Sequence, residues 1–164
     1  MERRHALQLR AEGSSLVGYA AVFGERADLG YCSESINPGA FTASLTRNDV
    51  VGLVDHDPSR LLGRTKSGTL VLTEDARGLA FSLSIPDTSV GRDVLALAAR
   101  QDIGGASIGF LIEAEHWQGD HRTIQRADLR EISIISSWPA YSGTSVKPRA
   151  GARLALARRW LLTT

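Results

Sequence analysis

The sequence is short of cysteine, of net charge and of long apolar runs, and each shortage removes a class of function. Cys32 is the single cysteine, so an intramolecular disulfide is excluded. No Cys/His cluster has zinc spacing either. Nineteen Lys and Arg stand against 18 Asp and Glu, for a formal charge of +1. That balance leaves no electrostatic footprint for nucleic acid or an anionic membrane surface. The apolar runs stop after a handful of residues, far short of the ~20 that a spanning helix needs. The start, Met1-Glu2-Arg3-Arg4-His5, leads into alternating residues rather than the apolar segment of a signal peptide. A glycine-rich phosphate loop and a dinucleotide fingerprint are missing as well, so no cofactor and no metal are expected. What is present is an ordinary globular composition, 43% hydrophobic over 164 residues. A chain of that length buries roughly 70% of its unfolded surface and needs no staple. The expectation is an intracellular, soluble protein with one domain.

Most of the patterning has period two. Ala6–Ala11 alternates, Gly13-Ser14 is a turn signal, and Leu16–Phe23 continues as a second strand, which together read as a hairpin. Residues 24–35 read as a loop with a short extended piece. Asn37 before Pro38 predicts a capped helix start over Ala40–Thr46. Val50–Asp55 reads as a buried strand ending at Asp55-His56-Asp57-Pro58, where the proline is expected to turn the chain. Leu61–Thr65 and Thr69–Thr73 read as a hairpin about Lys66-Ser67-Gly68. Leu79–Ile85 alternates until Pro86 stops it. Val90–Arg100 is the clearest helix, with caps at Asp87, Thr88 and Ser89 and an apolar stripe of Val94, Leu95, Leu97 and Ala98. Ala106–Glu115, Arg122–Arg126 and Leu129–Ser136 follow as strands, and Arg153–Leu162 as a terminal amphipathic helix. The fold class is β-rich α+β, with about seven to nine strands and two or three helices, expected as a compact barrel or sandwich with helices packed outside.

Chemistry is suggested by parity. Ala106, Ile108, Phe110 and Ile112 are apolar and should face the core. Ser107 and Gly109 then share the opposite face, and a serine beside a glycine leaves a shallow, open surface. A solvent-facing strand carries the same residues, so Ser107 has both readings. In Leu129–Ser136, Ile132 and Ile134 face one way and Glu131 and Ser133 the other. If the two strands pair, Ser107 and Glu131 share a polar face; otherwise Glu131 is a solvated carboxylate or a partner for Arg126 or Arg130. His56 closes an apolar strand between Asp55 and Asp57, and adjacent carboxylates favour the charged imidazole. His5, His116 and His121 read as structural or solvated. A serine, a histidine and an acid are the parts of an acyl-transfer triad: the imidazole takes the hydroxyl proton and the acid fixes the imidazole tautomer.

Seven strings in order give these residues a context: Gly18–Phe23, Glu34–Phe41, Asp55-His56-Asp57, Leu62–Leu70, Gly105–Phe110, Leu129–Ser133 and Pro139-Ala140-Tyr141. Together they resemble the prohead (capsid maturation) serine proteases of tailed bacteriophages, over about three quarters of the chain. The resemblance implies a fold like the herpesvirus assembly proteases, a β-barrel surrounded by helices. It implies a protease domain over 1–150 and a short tail, helical in part, over 151–164. It makes Ser107 the nucleophile, His56 the general base and Glu131 the third member, with Asp57 and Asp55 as competitors. Arg64 or the Gly104-Gly105 turn would contribute to the oxyanion hole. The implied reaction is hydrolysis of the scaffolding segment of the major capsid protein, and of the protease's own tail, inside the procapsid in the bacterial host cytoplasm. The implied partner is that capsid protein, with no nucleic acid and no membrane, and self-association is left open. A catalytically dead head-assembly module on the same fold is the alternative. Little chain, 144–164, follows the last string, which fits a trimmed form or a domesticated relative such as a gene transfer agent.

Overall fold

Alternating side chains make a strand only when neighbouring strands take up the backbone hydrogen bonds, and here the neighbours sort into two sheets. The computed structural model describes residues 1–6, 8–12 and 14–136, with 2–6 and 8–12 given by their backbone. Eleven strands and two helices run in the order β1 (Glu2–Ala6), β2 (Gln8–Glu12), β3 (Ser15–Val22), β4 (Ala27–Asp28), β5 (Ser33–Ile36), α1 (Thr42–Arg47), β6 (Val51–Val54), β7 (Asp57–Arg64), β8 (Leu70–Glu74), β9 (Gly78–Ser84), α2 (Ser89–Arg100), β10 (Gly105–Gln118) and β11 (His121–Ile135). The smaller sheet has the order β2-β3-β9-β8. The larger is built on the long β10–β11 hairpin. β1 lies on the outer edge of β10, and the far edge of β11 is shared: β5 pairs in parallel with its first residues and β6 in parallel with its last. Residues 131–134 of β11 therefore sit mid-sheet, between β10 and β6.

The two sheets bury a common core. Ala106, Ile108 and Phe110 of β10 and Leu129, Ile132 and Ile134 of β11 join Leu16, Leu79, Phe81 and Leu83 from the smaller sheet. Phe41, at the start of α1, packs edge-on against Phe110 with ring centroids 6.1 Å apart. A bulge decides which side chains of β11 take part. Phe110 pairs with Leu129 but Gly109 pairs with Glu131, so Arg130 is an extra residue on β11. That insertion puts Leu129 in the core and Glu131 on the other face, although both positions are odd.

Several expectations are corrected. Among the described residues the larger sheet and the smaller sheet remain separate, and no closed barrel forms. The expected strand over Ala6–Ala11 is two strands that belong to different sheets, and only the second makes the hairpin with β3. Leu61–Arg64 pairs with β6 rather than with Thr69–Thr73, because the turn at 65–68 carries the chain from one sheet to the other. Arg122–Arg126 and Leu129–Ser136 are one strand made continuous by bulges. Asn37 does not cap α1. Its carbonyl accepts from Ala40 in a turn, and the helix starts later, where the Glu74 carboxylate accepts from the Phe41 N–H and the Thr42 hydroxyl. Pro58 lies inside β7, an edge strand where its missing N–H is not needed. α2 is as expected, with the Thr88 side chain accepting from the Gly91 N–H. The expected helix over Arg153–Leu162, the 151–164 tail and the Pro139-Ala140-Tyr141 string lie outside the described residues. Among the described residues no helix is long and apolar enough to cross a membrane.

Candidate active site

His56 occupies the second place of a two-residue loop between β6 and β7, since Val54 pairs with Asp57. Such loops need positive φ at both central residues. Asp55 has φ 49° and His56 φ 60°. Neither is glycine, so the loop holds strain of a kind that gathers at functional sites. Asp55 braces it. Its backbone N–H donates to the Ile134 carbonyl at 2.9 Å, and its carboxylate accepts from the Ser136 N–H at 2.8 Å and from Arg60 at 3.1 Å. Two ends of the larger sheet are thereby fixed around the histidine.

The fixed imidazole reaches back along β11 to Glu131. Nδ1 lies 2.5 Å from Glu131 Oε1, and the two side chains are 11% and 7% exposed. Against an ionised carboxylate, which only accepts, Nδ1 is the donor of this contact. The two competitors for Glu131, Asp55 and Asp57, are engaged by other groups. Asp55 is engaged as above, and the Asp57 carboxylate accepts from the hydroxyl and N–H of Ser59. Those two bonds hold Asp57 below the usual carboxylate range, the hydroxyl contributing most.

Register places the serine. Gly109 pairs with Glu131, and two residues along Ser107 pairs with Ser133. Paired residues share a face, so Ser107, Ser133 and Glu131 all lie on the face away from the core. The expectation that this face is open is corrected: Ser107 and Ser133 are both 0% exposed. Among the described residues neither hydroxyl has a hydrogen-bond partner. The structure thus joins His56 to Glu131 and sets Ser107 one register step away, without a hydrogen bond on its Oγ. Ser133 was noticed in the sequence only as a co-facial residue; its pairing with Ser107 depends on the bulge at Arg130, which no periodicity reveals.

The remaining candidates lie elsewhere or are committed. Arg64 forms an ion pair with Asp49 at 2.9 Å. The Gly104 N–H donates to the Ile135 carbonyl at 2.8 Å. His121 bridges Ser33 and Ser35, with ring nitrogens 3.0 and 2.9 Å from the two hydroxyls, at the opposite end of β11. His116 is exposed on β10. The backbone register of β1 sets His5 across from Ser107. Among the described residues no group of three His, Cys, Asp or Glu could hold a metal ion.

An imidazole whose Nδ1 is held by a carboxylate can act as a general base through its other ring nitrogen. A family model described as caudovirus prohead serine protease matches residues 2–155. No curated protein and no solved structure matches the chain.

Proposed function

The chain belongs to the caudovirus prohead serine protease family, and from that premise we propose that it is the endopeptidase that cuts the scaffolding segment of the major capsid protein during procapsid maturation. Ser107 is the nucleophile, His56 the general base and Glu131 the acid that orients it. His56 Nε2 takes the Ser107 proton as Oγ attacks the scissile carbonyl; the same proton then passes to the leaving amine. The resulting ester at Ser107 is hydrolysed by water through the reverse sequence. Glu131 stays ionised and stabilises the imidazolium formed in each half. The enzyme works inside the procapsid in the bacterial host, on the capsid protein and on its own tail, as a phage, prophage or gene transfer agent component.

The observation that carries this reading is the 2.5 Å contact of His56 Nδ1 with Glu131 on the face that Ser107 shares. The test is labelling of the full chain with a peptidyl phosphonate, followed by peptide mapping. Modification at Ser107, lost in His56→Ala, supports the assignment. A folded, unlabelled protein would overturn it. A catalytically silent assembly module is the second reading, and what favours it is the full burial of Ser107.

A further inference from the structure

Gly109 stands inside β10, opposite the bulge at Arg130, with no positive φ, no turn and no helix around it. Glycine in a strand interior weakens the strand, because it costs more backbone entropy than alanine and packs nothing. An alanine here would suit the backbone better, so the absence of a side chain needs a reason. The reason is on the facing strand. A Cβ built on Gly109 would lie 2.5 Å from Glu131 Cγ, 2.6 Å from Oε1 and 2.9 Å from Cδ. Oε1 is the oxygen that holds His56 Nδ1. The carboxylate therefore lies flat over the bare backbone of Gly109, in space that any other residue would fill.

We propose that Gly109 is a positioning residue: its missing side chain is the seat that lets Glu131 reach His56. This rests on the catalytic reading of His56 and Glu131 given above. A methyl group at Gly109 clashes with nothing but the movable side chain of Glu131 among its nearest atoms, so the side chain can yield while the strands stay paired. The expected result is selective. The fold survives, and the oxygen that fixes the imidazole is displaced by about 1 Å, enough to restore an ordinary van der Waals contact. A misplacement of about 1 Å at a catalytic group costs on the order of 10²-fold in rate.

Gly109→Ala, Glu131→Gln and the double variant of the full chain test this. Cleavage of a capsid-derived peptide is followed in single turnovers, with thermal unfolding and the proton NMR signal of the His56 Nδ1–H recorded alongside. Gly109→Ala should lower kcat ~10²-fold at unchanged KM, keep its thermal midpoint, and lose or shift the Nδ1–H signal. The double variant should be no slower than Glu131→Gln, because both changes break one contact. Rate losses that multiply would overturn the proposal, as would an unshifted Nδ1–H signal or an unfolded Gly109→Ala. Should Glu131→Gln cleave at the wild-type rate, the catalytic reading fails, and the Nδ1–H signal in Gly109→Ala still decides whether the glycine seats the carboxylate.

Discussion

Replacing Glu131 by glutamine separates orientation from bond making. The contact it alters is short and nearly dry: 2.5 Å, between side chains 11% and 7% exposed. Glutamine keeps the shape and removes the charge. Removing one partner of a buried charge pair costs ~3–5 kcal/mol, and on the proposed mechanism the pair is fully charged once His56 has taken the serine proton. The cost therefore falls on the transition state. At 1.36 kcal/mol per decade it amounts to a loss of about 10²–10⁴ in kcat. A tautomer effect acts in the same direction. The glutamine amide can donate to Nδ1, which moves the ring proton to Nε2 and removes the acceptor that Ser107 needs. An acid-to-amide change in another serine triad costs ~10⁴, which agrees with the upper end. The assay is single-turnover cleavage of a capsid-derived peptide, with Asp55→Asn and Asp57→Asn as comparisons. Those two should stay within about tenfold of wild type, since their carboxylates serve Ser136, Arg60 and Ser59 rather than the imidazole. An unchanged rate in Glu131→Gln, or a larger loss in Asp57→Asn, would refute the reasoning.

Ser107→Ala and His56→Ala should each remove about 10⁶ of the rate, and the double variant should be no worse, because members of one unit are not additive. The same kinetic assay reads this, and Ser133→Ala should retain phosphonate labelling at Ser107. Asn48→Ala should cost ~1–3 kcal/mol in urea unfolding, since its amide donates to Asp128 Oδ1 at 2.6 Å and to the Leu129 carbonyl at 2.8 Å. The same variant should change the pH dependence. Asn48 first, then Arg47 and Arg130, hold Asp128 below the usual carboxylate range. The unfolded chain therefore binds the proton more readily, and this stabilisation is present above about pH 4 and lost as pH falls below it; Asn48→Ala should blunt that acid limb in thermal scans. Gly78→Ala should destabilise by ~1–3 kcal/mol or more, because the added Cβ would lie 2.1 Å from the Ala21 carbonyl oxygen; wild-type urea unfolding would contradict this.

What could be read in the sequence was whatever depends on neighbours along the chain. The alternation of Ala106, Ile108 and Phe110 set the core face of β10, and Thr88 with the Val94–Ala98 stripe set α2. Parity also put Glu131 and Ser133 on one face, which held. What depends on partners far along the chain was hidden. Leu61–Arg64 has an alternation that suits either β6 or β8, and only the three-dimensional packing selects β6. The capping of α1 by Glu74 joins residues 33 positions apart, so a local rule settled on Asn37 instead. The closed barrel came with the family resemblance, not with the periodicity, and the structure leaves two sheets. The turn at Asp55-His56 was assigned to Pro58, because proline is the stronger local signal; a histidine in the left-handed region is tolerated only when its surroundings hold it there.

Burial of polar groups gives a route to the site that needs no motif. Among the described residues the buried polar side chains are Glu34, Ser44, Ser107, Arg122, Asp128, Glu131 and Ser133. Most are explained where they stand. Glu34 pairs with Arg122 at 2.6 Å, the Ser44 hydroxyl donates to the Phe41 carbonyl, and Asp128 is held by Asn48 and Arg47. Those contacts tie elements together. Glu131 differs, because its partner is a strained loop histidine rather than another structural anchor. Ser107 and Ser133 differ more, being buried hydroxyls with no partner among the described residues. A buried unsatisfied polar group costs ~1–3 kcal/mol and is retained only for cause. All three fall on one face of one strand pair, within two register steps. A fold that needed only stability would fill those positions with valine or threonine, as strands do. The cost concentrated there, together with the strain at His56 and the bare Gly109, singles out this face of the strand pair as the place to test for function.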